Sequence, residues 1–227
     1  MRVYIFLLLL IFILTGCQNN SKHIKNNKLP NDVLWVTQSI EYDAICKQTY
    51  KTASLSLFPD LHKAQNPIII MDLDETVLDN SHYQIELFNK QAQFQETTWN
   101  DWVMQELSEM VPGAKEFILE YKKYKNARIV YISNRSYSTL ESTLNNMKRL
   151  GIYFEDDIFL LRENKSDTKI IRRKEVYEGI NRMIQYGPHI PLAYFGDAMG
   201  DFPNKQAGEL SGRIFVFPNP MYGKWGR

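Results

Sequence analysis

The chain has almost no cysteine, almost no net charge and no apolar run long enough to span a bilayer, and each lack closes off a class of protein. Two cysteines, Cys17 and Cys46, allow one disulfide at most, so a bridge-stapled scaffold is excluded and stability must come from packing. A formal net charge of +1, with Lys and Arg scattered instead of striped, supplies no field for a duplex, and nucleic-acid polymers are excluded as partners. The longest apolar run, Val3 to Leu14, would rise roughly 18 Å as a helix, against a hydrocarbon core of about 30 Å. There is no internal repeat, and the one compositionally biased stretch is polar, at residues 18–30.

What is present at the N-terminus reads as an address. Arg2 precedes the short apolar run, which ends in Leu14-Thr15-Gly16-Cys17. This has the form of a secretory signal, and its end resembles the bacterial lipobox, in which cleavage precedes the cysteine and Cys17 carries the lipid. Residues 1–16 are therefore expected to be a lipoprotein signal peptide and residues 17–30 a flexible tether. Residues 31–227 are expected to form one working domain outside the cytoplasm; 44% hydrophobic residues suit a packed core.

Within that domain, Val33, Val36, Ile40, Ala44, Tyr50 and Leu57 keep helical spacing and predict one long amphipathic helix from Asp32 to Phe58. Short apolar runs predict buried strands at Ile68 to Met71, Arg128 to Ile132, Ile158 to Leu161 and Pro191 to Phe195, with a late strand at Arg213 to Phe217. Helices are predicted between them at Ala114 to Tyr124, Ser138 to Leu150 and Asp167 to Tyr186. Alternation of this kind means an α/β fold, a parallel sheet with helices on both faces and ligands beyond the carboxyl ends of its strands. Residues 81–111, with Phe88, Phe94, Trp99 and Trp102, break the rhythm and predict a small helical cap.

Three polar clusters follow three of these strands. Asp72-Leu73-Asp74-Glu75-Thr76 puts two carboxylates two residues apart, which share a side of an extended chain. One carboxylate can attack phosphorus; the other, protonated, can donate to the leaving oxygen and later activate water. Ser133-Asn134-Arg135 offers a hydroxyl and a backbone N–H to phosphate oxygens, although Ser-Asn after a strand is also an ordinary turn. In Gly196-Asp197-Ala198-Met199-Gly200-Asp201, Asp197 can give a second carboxylate to a hard cation, and Asp201 can support it. So many carboxylates beside a phosphate need cations, and Mg²⁺ suits the donor set. A lysine is needed as well; Lys169, opening the helix after the third strand, is the choice, and Lys165 the reserve.

In this order the four pieces resemble the motifs of the haloacid-dehalogenase superfamily. More narrowly, Asp72-Leu-Asp-Glu-Thr-Val-Leu-Asp-Asn-Ser-x-Tyr-Gln, the Trp99 and Trp102 pair, Val111-Pro-Gly-Ala and Pro218-Asn-Pro-x-Tyr222-Gly-x-Trp225 resemble the class C non-specific acid phosphatases, a group that includes outer-membrane lipoproteins. The resemblance implies a Rossmann-like core with a small α-helical cap, and Mg²⁺-dependent hydrolysis of phosphomonoesters at mildly acid pH, 5′-nucleotides first among them. It implies Asp72 as nucleophile and metal ligand, and Asp74 as general acid/base lending its carbonyl to the metal. Asp197 would ligate the metal, Asp201 would support it, and Ser133, Asn134 and Lys169 would hold phosphate. Phe94, Trp99 and Tyr222 would sandwich a base. It implies a lipid-anchored protein of the bacterial cell envelope, at the outer membrane. Two departures stand out: the lysine motif is one residue longer than expected, and the chain between Asp201 and Pro218 is short, which leaves substrate preference and homodimerisation open. Two other functions fit the same scaffold, phosphoryl transfer to alcohols and a non-catalytic surface-binding lipoprotein.

Overall fold

The computed structural model describes residues 28–203 and 213–223. The predicted signal peptide, Cys17, nearly all of the predicted tether and Trp225 lie outside the described residues. Five parallel strands form the sheet: β1 (Ile68–Met71), β4 (Arg128–Ser136), β5 (Ile158–Arg162), β6 (Tyr194–Gly196) and β7 (Ile214–Val216), in the order β5-β4-β1-β6-β7. A two-residue antiparallel ribbon pairs β2 (Leu78–Asp79) with β3 (Glu109–Met110). The helices are α1 (Asn31–Gln38), α2 (Ile40–Leu61), α3 (Ser81–Asn89), α4 (Glu96–Met104), α5 (Ala114–Tyr121), α6 (Leu140–Leu150) and α7 (Lys169–Glu178). Among the described residues no helix is long and apolar enough to cross a membrane.

The two-residue period of the strands divides the core. Ile69, Met71, Ile129 and Tyr131 face one side and pack with residues of α2, α5 and α6. Ile68, Ile70, Val130 and Ile132 face the other and pack against Val176 of α7 and Met183. Burial on both faces is why these runs are continuous in sequence instead of alternating. Tyr83, Trp102 and Val103 form a separate small core joining α3 to α4, with Leu87 and Trp99 against it.

Three predicted boundaries are corrected. The single long helix is two, because Ser39 takes an extended backbone and its Oγ accepts from the Tyr42 N–H, starting α2 afresh. Trp35 and Tyr42 meet edge to face across the break, ring centroids 5.5 Å apart. The helix predicted to run to Tyr186 ends at Gly179, whose φ of +63° gives α7 a left-handed cap. The strand predicted to end at Ile132 continues to Ser136, so Ser133 to Arg135 are extended chain and not a turn.

The glycine caps separate two kinds of cost. A side chain at Gly179 would overlap the backbone of Gly187 and Pro188, whereas at Gly151 it would meet only the flexible Lys115 Nζ, 3.4 Å away. Gly151→Ala is expected to lose the ~1–2 kcal/mol of left-handed backbone, and Gly179→Ala considerably more, read from urea denaturation midpoints. Equal losses would mean that the Gly187–Pro188 backbone yields freely.

Candidate functional site

The carboxyl ends of β1, β4 and β6 bring the three polar clusters into one place, where α7 presents its first turn. Asp72 leaves β1 with its N–H bonded to the Phe195 carbonyl of β6 at 2.9 Å, which fixes it beside Asp197. Lys169 Nζ donates to Asp72 Oδ1 and to Asp201 Oδ1, each at 2.5 Å. Asp201 can come this close because residue 196 is glycine: a Cβ there would collide with the Asp201 carboxylate. The remaining oxygen of Asp201 accepts from the Ala198 N–H at 2.9 Å. Lys165 is exposed, so Lys169 is the lysine that reaches the cluster.

The charges do not balance. Asp72, Asp197 and Asp201 each offer an oxygen within 4.8 Å of the others, with one ammonium among them. Burial pushes the Asp72 carboxyl well above its usual range; Lys169 opposes this, and Asp201, Asp197 and Asp74 add to it. Burial by itself pulls Lys169 down, but Asp72 and Asp201 outweigh it and hold the ammonium above its ordinary value. For Asp197, burial first and then the Asp201 charge raise the carboxyl to about 6, against an opposing bond from Asn219. A site whose carboxylates are held this far from their preferred ionisation fits a divalent cation.

Asp74, two residues beyond Asp72, is held by a network that sequence reasoning missed. Arg135, 1% exposed, reaches Asp74 Oδ1 through Nε at 2.9 Å and through its terminal nitrogen at 2.8 Å. Asn80 Nδ2 donates to the same oxygen at 3.0 Å, and Ser133 Oγ lies 3.2 Å from Oδ2. Asn80 Oδ1 in turn accepts from Trp102 Nε1 at 3.0 Å and Ser108 Oγ at 2.7 Å, which ties this network to α4. The available signal was period two: Ser133 and Arg135 share a face of one strand.

Helix α7 supplies more than a lysine. Arg172, fully buried, donates to the Ser133 and Leu160 carbonyls and to Asn134 Oδ1 at 2.8 Å, and Arg173 donates to the Gly200 carbonyl at 2.8 Å. Residues 169, 172 and 173 recur at the spacing of one helix face, a signal that was present and not used. Of the predicted aromatics, Phe94 and Trp99 sit 6.3 Å apart beside Tyr83, and Phe94 is 61% exposed. Tyr222 is exposed on the segment after β7, and no ring pairing joins it to Phe94 or Trp99 among the described residues. A cleft of about 750 Å³ at the opposite end of the sheet, lined by His62, Asn66, Tyr124 and Asn126 among others, contains none of these groups.

The family described as "HAD superfamily, subfamily IIIB (Acid phosphatase)" matches residues 17–225. The chain belongs to that family. The chain superposes on two structures of the class C acid phosphatase from Bacillus anthracis, one with tungstate bound. Each has a TM-score of 0.72 and 30% identity, covering 86% of this chain and 85% of that one. It is also 26% identical over 159 residues to a stem 31 kDa glycoprotein of Glycine max, a match covering 69% of this chain and 59% of the plant protein. HAD phosphatases use a divalent metal, and Asp72, Asp197 and Asp201 are the set here that can hold one.

Because Asp197 binds its proton more tightly folded than unfolded, its contribution to stability falls as pH rises from about 4 to about 6 and is constant above. In protein freed of metal by chelation, the urea midpoint of Asp197→Asn minus that of the natural chain should therefore increase across that window. A difference that stays flat with pH would contradict the assignment.

Proposed function

We propose that this chain is a Mg²⁺-dependent acid phosphatase that hydrolyses small phosphomonoesters, 5′-nucleotides first among them, through a phospho-aspartate on Asp72. The observation that carries the reading is the Lys169 ammonium, bonded at 2.5 Å to both Asp72 and Asp201. It fixes Oδ1 of Asp72 and leaves Oδ2 as the attacking oxygen. It also puts a cation where three phosphoryl oxygens gather charge in the transition state.

Asp72 Oδ2 forms a bond to phosphorus while the bond to the ester oxygen breaks, and that oxygen takes a proton from Asp74. Water then attacks the aspartyl phosphate, giving its proton back to Asp74, and inorganic phosphate leaves. Arg135 and Asn80 hold Asp74 Oδ1, so Oδ2, beside the Ser133 hydroxyl, is the oxygen that carries the proton. Ser133 and Asn134 hold the phosphoryl oxygens, and Arg172 keeps Asn134 in place. Bound Mg²⁺, held by Asp72, Asp197 and the Asp74 carbonyl with support from Asp201, would offset negative charge on the phosphoryl oxygens. Tungstate, bound by the Bacillus anthracis class C acid phosphatase, is a tetrahedral dianion as phosphate is.

The helices α3 and α4 act as the cap in this reading, and Phe94 and Trp99 line its base-binding side, with Tyr222 approaching from the C-terminal segment. The mildly acid optimum rests on the family resemblance. Anchoring in the bacterial cell envelope, at the outer membrane, rests on Leu14-Thr15-Gly16-Cys17.

Asp72→Asn is expected to lower kcat by at least about 10³-fold with an unchanged circular dichroism spectrum. Asp74→Asn should lose about 10²–10⁴-fold on alkyl phosphates and much less on aryl phosphates, whose leaving groups need no proton. Uniform losses across leaving groups would remove Asp74 from the proton-donor role, and normal turnover by Asp72→Asn would remove the nucleophile. For the anchor, labelled palmitate should be incorporated by the natural chain in bacteria and not by Cys17→Ala; equal labelling would place any lipid elsewhere.

A further inference from the structure

The segment after β7, Pro218-Asn219-Pro220, lies beside the end of β6. Phe217, 1% exposed with its ring tilted against that of Tyr50 at 4.6 Å between centroids, anchors the start of this segment in the core, and its N–H bonds to the Gly196 carbonyl at 2.9 Å. The prolines hold φ near −65° at 218 and 220 and confine residues 217 and 219 to extended backbone. Asn219 is therefore held between two stiff residues, directly across from the end of β6.

Its side chain is used at both ends. Asn219 Oδ1 accepts from the Met221 N–H at 3.1 Å, and Nδ2 donates to Asp197 Oδ2 at 2.8 Å. The first bond assigns the amide: with the carbonyl turned to Met221, the NH₂ must face the carboxylate, so the group cannot flip without losing both bonds. Among the described residues, Asn219 is the side chain that donates to Asp197. Asp72 and Asp201 are oriented by Lys169, and Asp74 by Arg135; Asp197 lies outside both of those cationic contacts.

We propose that Asn219 is the positioning residue for the metal ligand Asp197: by occupying Oδ2 it fixes the carboxylate rotamer and leaves Oδ1 to the divalent cation. A neutral amide suits this task. An arginine or lysine in its place would compete with the cation for the same charge, whereas an amide orients the carboxylate and leaves its charge available. Partners of this kind, one bond behind the ligand, typically change metal affinity by about 10–100-fold when removed. The inference rests on the Mg²⁺ reading above and adds a residue to it.

The test is Mg²⁺ binding by isothermal titration calorimetry on the full chain without substrate, comparing the natural protein with Asn219→Ala and Asn219→Ser. Circular dichroism and the urea midpoint in chelator would report the fold. Both variants are expected to bind Mg²⁺ about 10–100-fold more weakly, and the Mg²⁺ concentration for half-maximal phosphatase activity should rise by the same factor. KM for an aryl phosphate at saturating Mg²⁺ should stay within about twofold. A purely structural role would lower the urea midpoint without moving the Mg²⁺ affinity of the folded protein, and that result overturns the proposal. Should either variant fail to fold, the other carries the comparison. Should the natural chain bind no divalent cation, the metal reading fails first and takes this inference with it, a result that owes nothing to the variants.

Discussion

One ammonium group stands among three carboxylates at the carboxyl end of a buried sheet, and much of the site is arranged around that imbalance. Lys169 can satisfy Asp72 and Asp201 at once because α7 begins where β1 and β6 end. Gly196 makes room for the Asp201 carboxylate, and Thr168 caps the helix so that its first residue is the lysine. Asp197 remains outside this exchange with its carboxyl raised to about 6, first by burial and then by Asp201. A cluster so underneutralised favours the arrival of positive charge, which is the electrostatic basis for joining a divalent cation to a phosphate dianion here.

Around that centre the carboxylates are held by partners that differ in charge. Asp74 faces the buried guanidinium of Arg135, which also bonds Thr143 and reaches Ser108 and Asn80. Asn80 links this group to Trp102 in α4, so the Asp74 side of the site is joined to that helix. Arg172 holds the Ser133–Asn134 stretch from beneath. Cations thus bond Asp72, Asp201 and Asp74, the last with the Asn80 amide beside Arg135, whereas the side chain that donates to Asp197 among the described residues is the neutral amide of Asn219. Truncating Arg172 would leave the buried Ser133 and Leu160 carbonyls without this donor, at a cost of about 1–3 kcal/mol each.

Much of the fold was legible because burial leaves a mark on composition. Ile68 to Met71 and Arg128 to Ile132 are apolar at every position since both faces of the sheet are covered, and they read directly as central strands. The order of strands and helices then implied a parallel α/β sheet, which the Bacillus anthracis structures share with this chain. Boundaries were less legible. The Val33 to Leu57 spacing continues through Ser39 almost unbroken, and a polar residue on a helix surface looks the same in sequence whether it caps a new helix or lies within one. Gly179 was a stop signal passed over because apolar residues resume beyond it in Ile180, Met183 and Ile184.

By itself, the sequence determined which residue types stand at each strand end: the paired aspartates after β1, the Ser-Asn pair in β4 and the Gly-Asp turn after β6. Local spacing sufficed for these because side-chain direction along a strand follows from its two-residue period. Only the tertiary structure decided which lysine faces Asp72, that Arg135 closes on Asp74 across 61 positions, and that Asn219 meets Asp197 across 22. Those pairings depend on which strands become neighbours and where a loop is pinned, and no local pattern encodes a contact made between distant parts of the chain.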